Sequence, residues 1–93
     1  MAHPEFDDAM ESIKSKSFSD SKMRIAKQVT KSNCLSTDQV TLIIRQFSFE
    51  TDKLEFAKYA YDYTYDRGNY FKVNDAFTFE SSIKELAQYL DGR

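Results

Sequence analysis

The chain is poor in the residues that most directly announce chemistry. Its single cysteine, Cys34, cannot close an internal disulfide, which removes the small disulfide-stapled scaffolds and tilts the expected compartment toward a reducing, cytoplasmic one. Two glycines, Gly68 and Gly92, are too few for a glycine-rich phosphate loop, so nucleotide binding through a backbone cradle is not expected. The one histidine, His3, stands at the chain start, and no Ser/His/Asp or Cys/His arrangement can be assembled around it. No apolar run approaches the length that spans a bilayer, and the first residues lack the apolar stretch of a secretory leader. A net charge of −2 supplies no overall field that would recruit nucleic acid or an anionic membrane.

What is present is apolar bulk in few, large pieces. Eight Phe and six Tyr supply much of the 41% hydrophobic content, against 30% charged residues, a balance typical of a folded, soluble domain. Ninety-three residues suit one modest core. Residues 1–5 read as a flexible or tag-derived lead-in, and residues 6–93 as a single helical domain.

Laying the chain against itself exposes an internal repeat. Ser17-Phe18-Ser19, Ser48-Phe49-Glu50 and Thr78-Phe79-Glu80 recur at nearly constant spacing, and each is followed by a helical pattern in which Ala26, Ala57 and Ala87 correspond. The second and third copies extend upstream through Phe47 and Phe77, where the first has Lys16. Each recurring Ser or Thr is expected to cap a helix, with Asp20, Glu50 and Glu80 complementing the positive helix end. Pro4 suits a first helical position, Ser36 to Gln39 reads as a capping box, and Gly68-Asn69 as a helix terminator. The expected fold is all-α: about six helices in three helix pairs of about 30 residues, as a compact right-handed stack or small bundle. The repeats cover about residues 6–33, 34–66 and 67–93. The helices are expected near Pro4–Lys16, Phe18–Lys31, Thr37–Gln46, Phe49–Asp66, Tyr70–Ala76 and Phe79–Leu90. Tyr59, Tyr61, Tyr63 and Tyr65 alternate as in a strand, but Leu54, Ala57, Tyr61 and Tyr65 also follow helical spacing, which favours one long helix.

With the repeated Phe, the pairs Ala26-Lys27 and Ala57-Lys58, the Gly68-Asn69-Tyr70 turn and Asn74-Asp75-Ala76-Phe77 in view, the chain resembles a known family. From about Phe6 to Leu90 it resembles the family catalogued as domain of unknown function 4476. The resemblance implies a domain found in bacterial and animal proteins, often beside other regions. It implies no activity and carries no catalytic residue across.

The residues themselves point the same way. No catalytic residue, metal site or cofactor is expected. Cys34 has no histidine partner and reads as a half-buried turn residue. Asp7, Asp8 and Glu11, like Glu50, Asp52 and Glu55, sit in or near first helical turns, where acidic residues complement the helix dipole. Asp62, Asp66 and Asn69 lack the spacing and glycine of a calcium loop. The leading expectation is a non-enzymatic interaction or structural module that binds another protein or another region of its parent chain. Its candidate contacts are Tyr59, Tyr63 and Tyr70 where they are exposed, with Arg45 and Arg67 as polar anchors, since Tyr and Arg are enriched at interface hot spots. The alternative is nucleic-acid or anionic-membrane binding through Lys22, Arg24, Lys27 and Lys31. An enzyme is the third reading.

Overall fold

Three helices of this protein begin in the same way, each on a phenylalanine. The computed structural model describes residues 1–93. Its α-helices are α1 (His3–Lys14), α2 (Ser19–Ser32), α3 (Thr37–Ile44), α4 (Glu50–Ala60) and α5 (Glu80–Asp91), with 3-10 helices at Tyr61–Tyr63 and Arg67–Ala76. The expected all-helical class is what the chain adopts. No helix is long and apolar enough to cross a membrane.

Local signals account for most starts. Pro4 lies at the beginning of α1, where its fixed φ is already helical and its missing N–H costs nothing. The stripe Phe6, Met10, Ile13 then buries one face of that helix. At α3 the capping box forms as expected: Gln39 N–H donates to Ser36 Oγ at 3.2 Å, and Ser36 N–H donates to Gln39 Oε1 at 3.0 Å.

The expected caps at Ser17, Ser48 and Thr78 are displaced by one residue. The N-cap positions belong to Phe18, Phe49 and Phe79, all extended (φ −99°, −100° and −108°), and none has a side-chain cap bond. The hydroxyls stand one position too early to reach the first turn. For α5 the cap comes from a neighbour instead. The Glu50 carboxylate accepts from Thr78 N–H at 3.0 Å and Phe79 N–H at 3.1 Å, tying the start of α4 to the start of α5. Burial acts to raise the Glu50 carboxyl, but hydrogen bonds from Phe79, Ser82 and Thr78 and the Lys53 charge outweigh it and hold it below its ordinary value.

The long helix expected over Phe49–Asp66 is not formed. α4 ends at Ala60, because side chains and a distant strand-like contact claim its last turn. Tyr70 Oη donates to the Ala57 carbonyl at 2.5 Å and Thr64 Oγ1 to the Ala60 carbonyl at 2.8 Å. Leu35 N–H donates to Tyr63 O, and Tyr65 N–H donates to Leu35 O, making an isolated parallel bridge between Leu35 and Thr64. Gly68-Asn69 ends no helix: Gly68 lies inside the Arg67–Ala76 helix, without positive φ. α1 starts at His3, within the expected lead-in, and Gln39 Nε2 donates to the Met1 carbonyl at 2.7 Å.

α2, α4 and α5 lie side by side with α4 in the middle, α1 packs on α2, and α3 packs on α4 and on the Arg67–Ala76 helix. The core cluster runs through all of them, with Phe56, Ala57 and Ala60 of α4 fully buried at its centre. The three side-by-side helices run parallel in a common register. Lys27 Nζ of α2 donates to Glu55 Oε2 of α4 at 2.8 Å and lies 5.2 Å from the Tyr59 ring centre. Nine residues after Phe49, as Lys27 stands nine after Phe18, Lys58 repeats this on α5: 2.9 Å to Glu85 Oε2 and 5.3 Å to the Tyr89 ring. Arg93 pairs with Asp62 at the far end.

Asp66 is the hub of the other layer. Its carboxylate accepts from Thr37 N–H (2.7 Å), Thr37 Oγ1 (2.9 Å) and Asn69 Nδ2 (3.2 Å), joining the start of α3 to the start of the Arg67–Ala76 helix. Burial acts to raise this carboxyl, and those hydrogen bonds overcome it and depress it. We predict that Asp66→Ala lowers unfolding free energy by about 2–3 kcal/mol, measured by urea titration, because charge-assisted bonds to the buried Thr37 are lost. Because Glu50 and Asp66 titrate lower when folded, the stability they contribute is present above their ordinary values of 4.5 and 3.8 and is lost as pH falls through their depressed folded values. Thermal midpoints should therefore fall between about pH 5 and pH 2. A Glu50→Gln/Asp66→Asn protein should show a shallower fall.

Candidate functional site

The five residues expected at a partner site do not converge. Tyr70 does not meet the condition of exposure: it is buried, with 4% of its surface exposed, and its hydroxyl donates to the Ala57 carbonyl. Burial, with the nearby Tyr61 adding to it, drives its hydroxyl well above the ordinary tyrosine range. Tyr59 and Tyr63 are half-buried and pack on each other, ring centres 5.3 Å apart. Burial and the neighbouring Tyr63 raise the Tyr59 hydroxyl as well. Arg45 is exposed at the end of α3. Arg67 is also exposed, but its guanidinium is folded back onto the Tyr61 and Asp62 carbonyls at 3.2 and 2.6 Å.

The basic residues partly do converge. Arg24, Lys27 and Lys31 line a groove of about 490 Å³ between α2 and α4, with Tyr59 in its wall, while the Lys22 amine turns back to the Ile13 carbonyl at 3.3 Å. The same groove carries Asp20, Asp52 and Glu55, so three cations face three carboxylates and the potential a polyanion would need is cancelled. Around the corner, Lys31, Tyr63, Tyr65 and Arg67 share a hollow of about 390 Å³ with Cys34, which is exposed rather than half-buried as expected. Asp62 and Asp66 turn to different partners, Arg93 and Thr37, and no cluster of three His, Cys, Asp or Glu side chains is placed to hold a metal ion.

A different set of side chains stands out. Phe18, Phe49 and Phe79 are 75%, 63% and 59% exposed. Their helices are parallel, their backbone angles nearly match, and Glu50 bridges two of the three starts. Neighbouring packed helices lie about 8–10 Å apart. The three rings therefore form an edge along one end of the α2, α4, α5 layer, roughly 20 Å from first to last. In the Phe-Ser/Thr-Phe copies the roles divide. Phe47 and Phe77 are buried, 3% and 9% exposed, and the second phenylalanine of each copy faces out. A second apolar patch, around the exposed Phe71, borders a hollow of about 230 Å³ lined by Leu86, Ala87 and Leu90.

Fold and site together define a small all-helical domain with an exposed aromatic edge. Residues 1–90 of the 93 match the family described as domain of unknown function DUF4476, and the chain belongs to that family. No curated protein and no solved structure matches it.

The division of roles within the repeated motif is testable by stability alone. Phe47→Ala, which opens a cavity beside Phe56, should cost about 3–5 kcal/mol. Phe49→Ser, two residues away, should not destabilise: it supplies a hydroxyl at the N-cap of α4 and should raise stability by about 0.5–2 kcal/mol in the same denaturant titration.

Proposed function

We propose that this domain is a non-enzymatic protein-interaction module. It is built as three stacked helix pairs, and its binding surface is the edge formed by Phe18, Phe49 and Phe79. The stacking is supported by the repeated clasp: Lys27 with Glu55 and Tyr59, then Lys58 with Glu85 and Tyr89, at equivalent places in successive copies. The carrying observation is the exposure of three repeat-equivalent phenylalanines on one end of one layer. Single exposed apolar residues need no explanation, whereas a contiguous set marks an interaction surface.

The cost of these residues strengthens the reading. Phenylalanine cannot accept a backbone N–H, and replacing a Ser, Thr, Asp or Asn cap by a residue without that ability costs about 0.5–2 kcal/mol. The fold bears this at α2 and α4, and at α5 the Glu50 carboxylate makes it good in part, with a Ser or Thr immediately before each phenylalanine. Burial does not explain the choice, so contact with a partner does. Rigid aromatic side chains held on helix ends lose little entropy on binding. Polyanion binding through Lys22, Arg24, Lys27 and Lys31 is the weaker reading, because Lys22 is turned away and the others face carboxylates.

The test is affinity capture from a lysate of the source cells with three baits. Proteins held by the wild-type domain should be lost with Phe18→Ser/Phe49→Ser/Phe79→Ser and kept with Arg24→Glu/Lys31→Glu. Equal capture by all three baits, or loss only with the groove variant, would overturn the assignment.

A further inference from the structure

The edge has a direction in charge as well as an apolar crest. Within four residues of Phe18 stand Lys14, Lys16 and Lys22 against Asp20, a net of +2. Within four of Phe49, Arg45 and Lys53 cancel Glu50 and Asp52; within four of Phe79 there are only Asp75 and Glu80, a net of −2. The edge thus runs positive, neutral, negative from α2 to α5. These groups stand free enough to act on a neighbour: Lys14, Lys16, Asp20, Arg45, Asp75 and Glu80 are all exposed, and none is in an ion pair within the chain.

We infer that the occupant of the phenylalanine edge is the same edge of a second copy of this chain, laid antiparallel about a twofold axis at Phe49. A twofold interface must be self-complementary, each patch meeting its symmetry mate. Only the antiparallel arrangement does this here, since it sets the Lys14/Lys16 end of one copy against the Asp75/Glu80 end of the other, twice, with Phe49 on Phe49. With both pairs of neighbouring helices packed at the usual about 8–10 Å, Phe18 of one copy meets Phe79 of the other in the same step. The area places the contact among small interfaces. Six rings, each already part-covered, bury roughly 600–1,000 Å² in total, below the about 1,200 Å² at which stable interfaces begin. The dimer is therefore weak, with dissociation in the micromolar to millimolar range, and it weakens as salt screens the end charges.

This inference rests on the edge being a binding surface, and the experiment separates the two. Sedimentation equilibrium of the full chain at low salt should show a concentration-dependent dimer, its affinity falling on the order of tenfold toward high salt. Phe49→Ser should abolish it. Lys14→Glu/Lys16→Glu makes both ends negative, and Asp75→Lys/Glu80→Lys makes both positive. Each variant alone should remain monomeric, and an equimolar mixture should recover a heterodimer, which also shows that both variants are folded. A wild-type chain that stays monomeric to millimolar concentration overturns the second-copy assignment. If phenylalanine-dependent capture persists in that case, the interaction reading stands and the occupant is a different protein; if Phe49→Ser alters neither assay, both fall. Dimerisation without recovery in the mixture overturns the antiparallel geometry.

Discussion

Everything in this fold depends on packing three helices parallel with α4 between the other two. Antiparallel neighbours let helix dipoles oppose one another, but α2, α4 and α5 bring their positive ends together, where unpaired backbone N–H groups accumulate. The acidic residues of the first turns, Asp20, Glu50, Asp52 and Glu80, answer that constraint. Glu50 goes furthest, because its carboxylate caps the next helix as well as facing the dipole of its own. Small residues make the packing close enough to matter: Ala26, Ala57 and Ala60 are buried to 0% exposure, so α4 can sit between its neighbours while Phe56 fills the centre.

The clasps that hold the layer are modest singly. Lys27 with Glu55 and Lys58 with Glu85 are partly exposed pairs, each worth about 1 kcal/mol or less, and the tyrosine rings beneath the amines add a similar amount. Their importance is in register. A slip of α4 by one turn against α2 would separate Lys27 from Glu55 and Tyr59, and the same slip against α5 would separate Glu50 from the Phe79 amide. Charge chemistry that contributes little to stability therefore decides which end each helix start occupies, and that places the three phenylalanines level.

Much of this architecture is legible in the amino-acid sequence. The all-helical class follows from period and capping residues, and α1 and α3 begin where Pro4 and the Ser36–Gln39 box place them. What is not legible has physical causes. The helical spacing of Leu54, Ala57, Tyr61 and Tyr65 overstates the length of α4, and no local signal reveals that Leu35, distant in sequence, pairs with Thr64, or that Tyr70 takes the Ala57 carbonyl. Tyr70 passes for a contact residue because aromatic residues look alike in sequence whether they close a core or open onto solvent. The groove of Arg24, Lys27 and Lys31 is legible as cations only; its cancelling carboxylates come largely from α4. The phenylalanine edge is visible only as a repeat that resembles packing, because an i, i+2 pair in an extended segment would share one side, whereas the chain bends at Ser48 and at Thr78 and the two rings part.

A bend lets one short motif serve two ends. In Phe-Ser/Thr-Phe the chain bends at the middle residue, Ser48 or Thr78, and one ring enters the core while the other leaves it. Mutating the inner ring tests folding, and mutating the outer ring tests the proposed binding once its effect as the helix N-cap is measured. The first copy keeps only the outer ring: Lys16 stands where Phe47 and Phe77 close the core, and α1 does the covering with Phe6, Met10 and Ile13. Where the inner ring is dispensable, a charge stands in its place. The outer ring, which no packing demand explains, is still there at Phe18, the most exposed of the three. A residue present at the one copy where its buried companion is absent does not owe its place to that companion's packing, and on the interaction proposed above it is the contact that keeps it there.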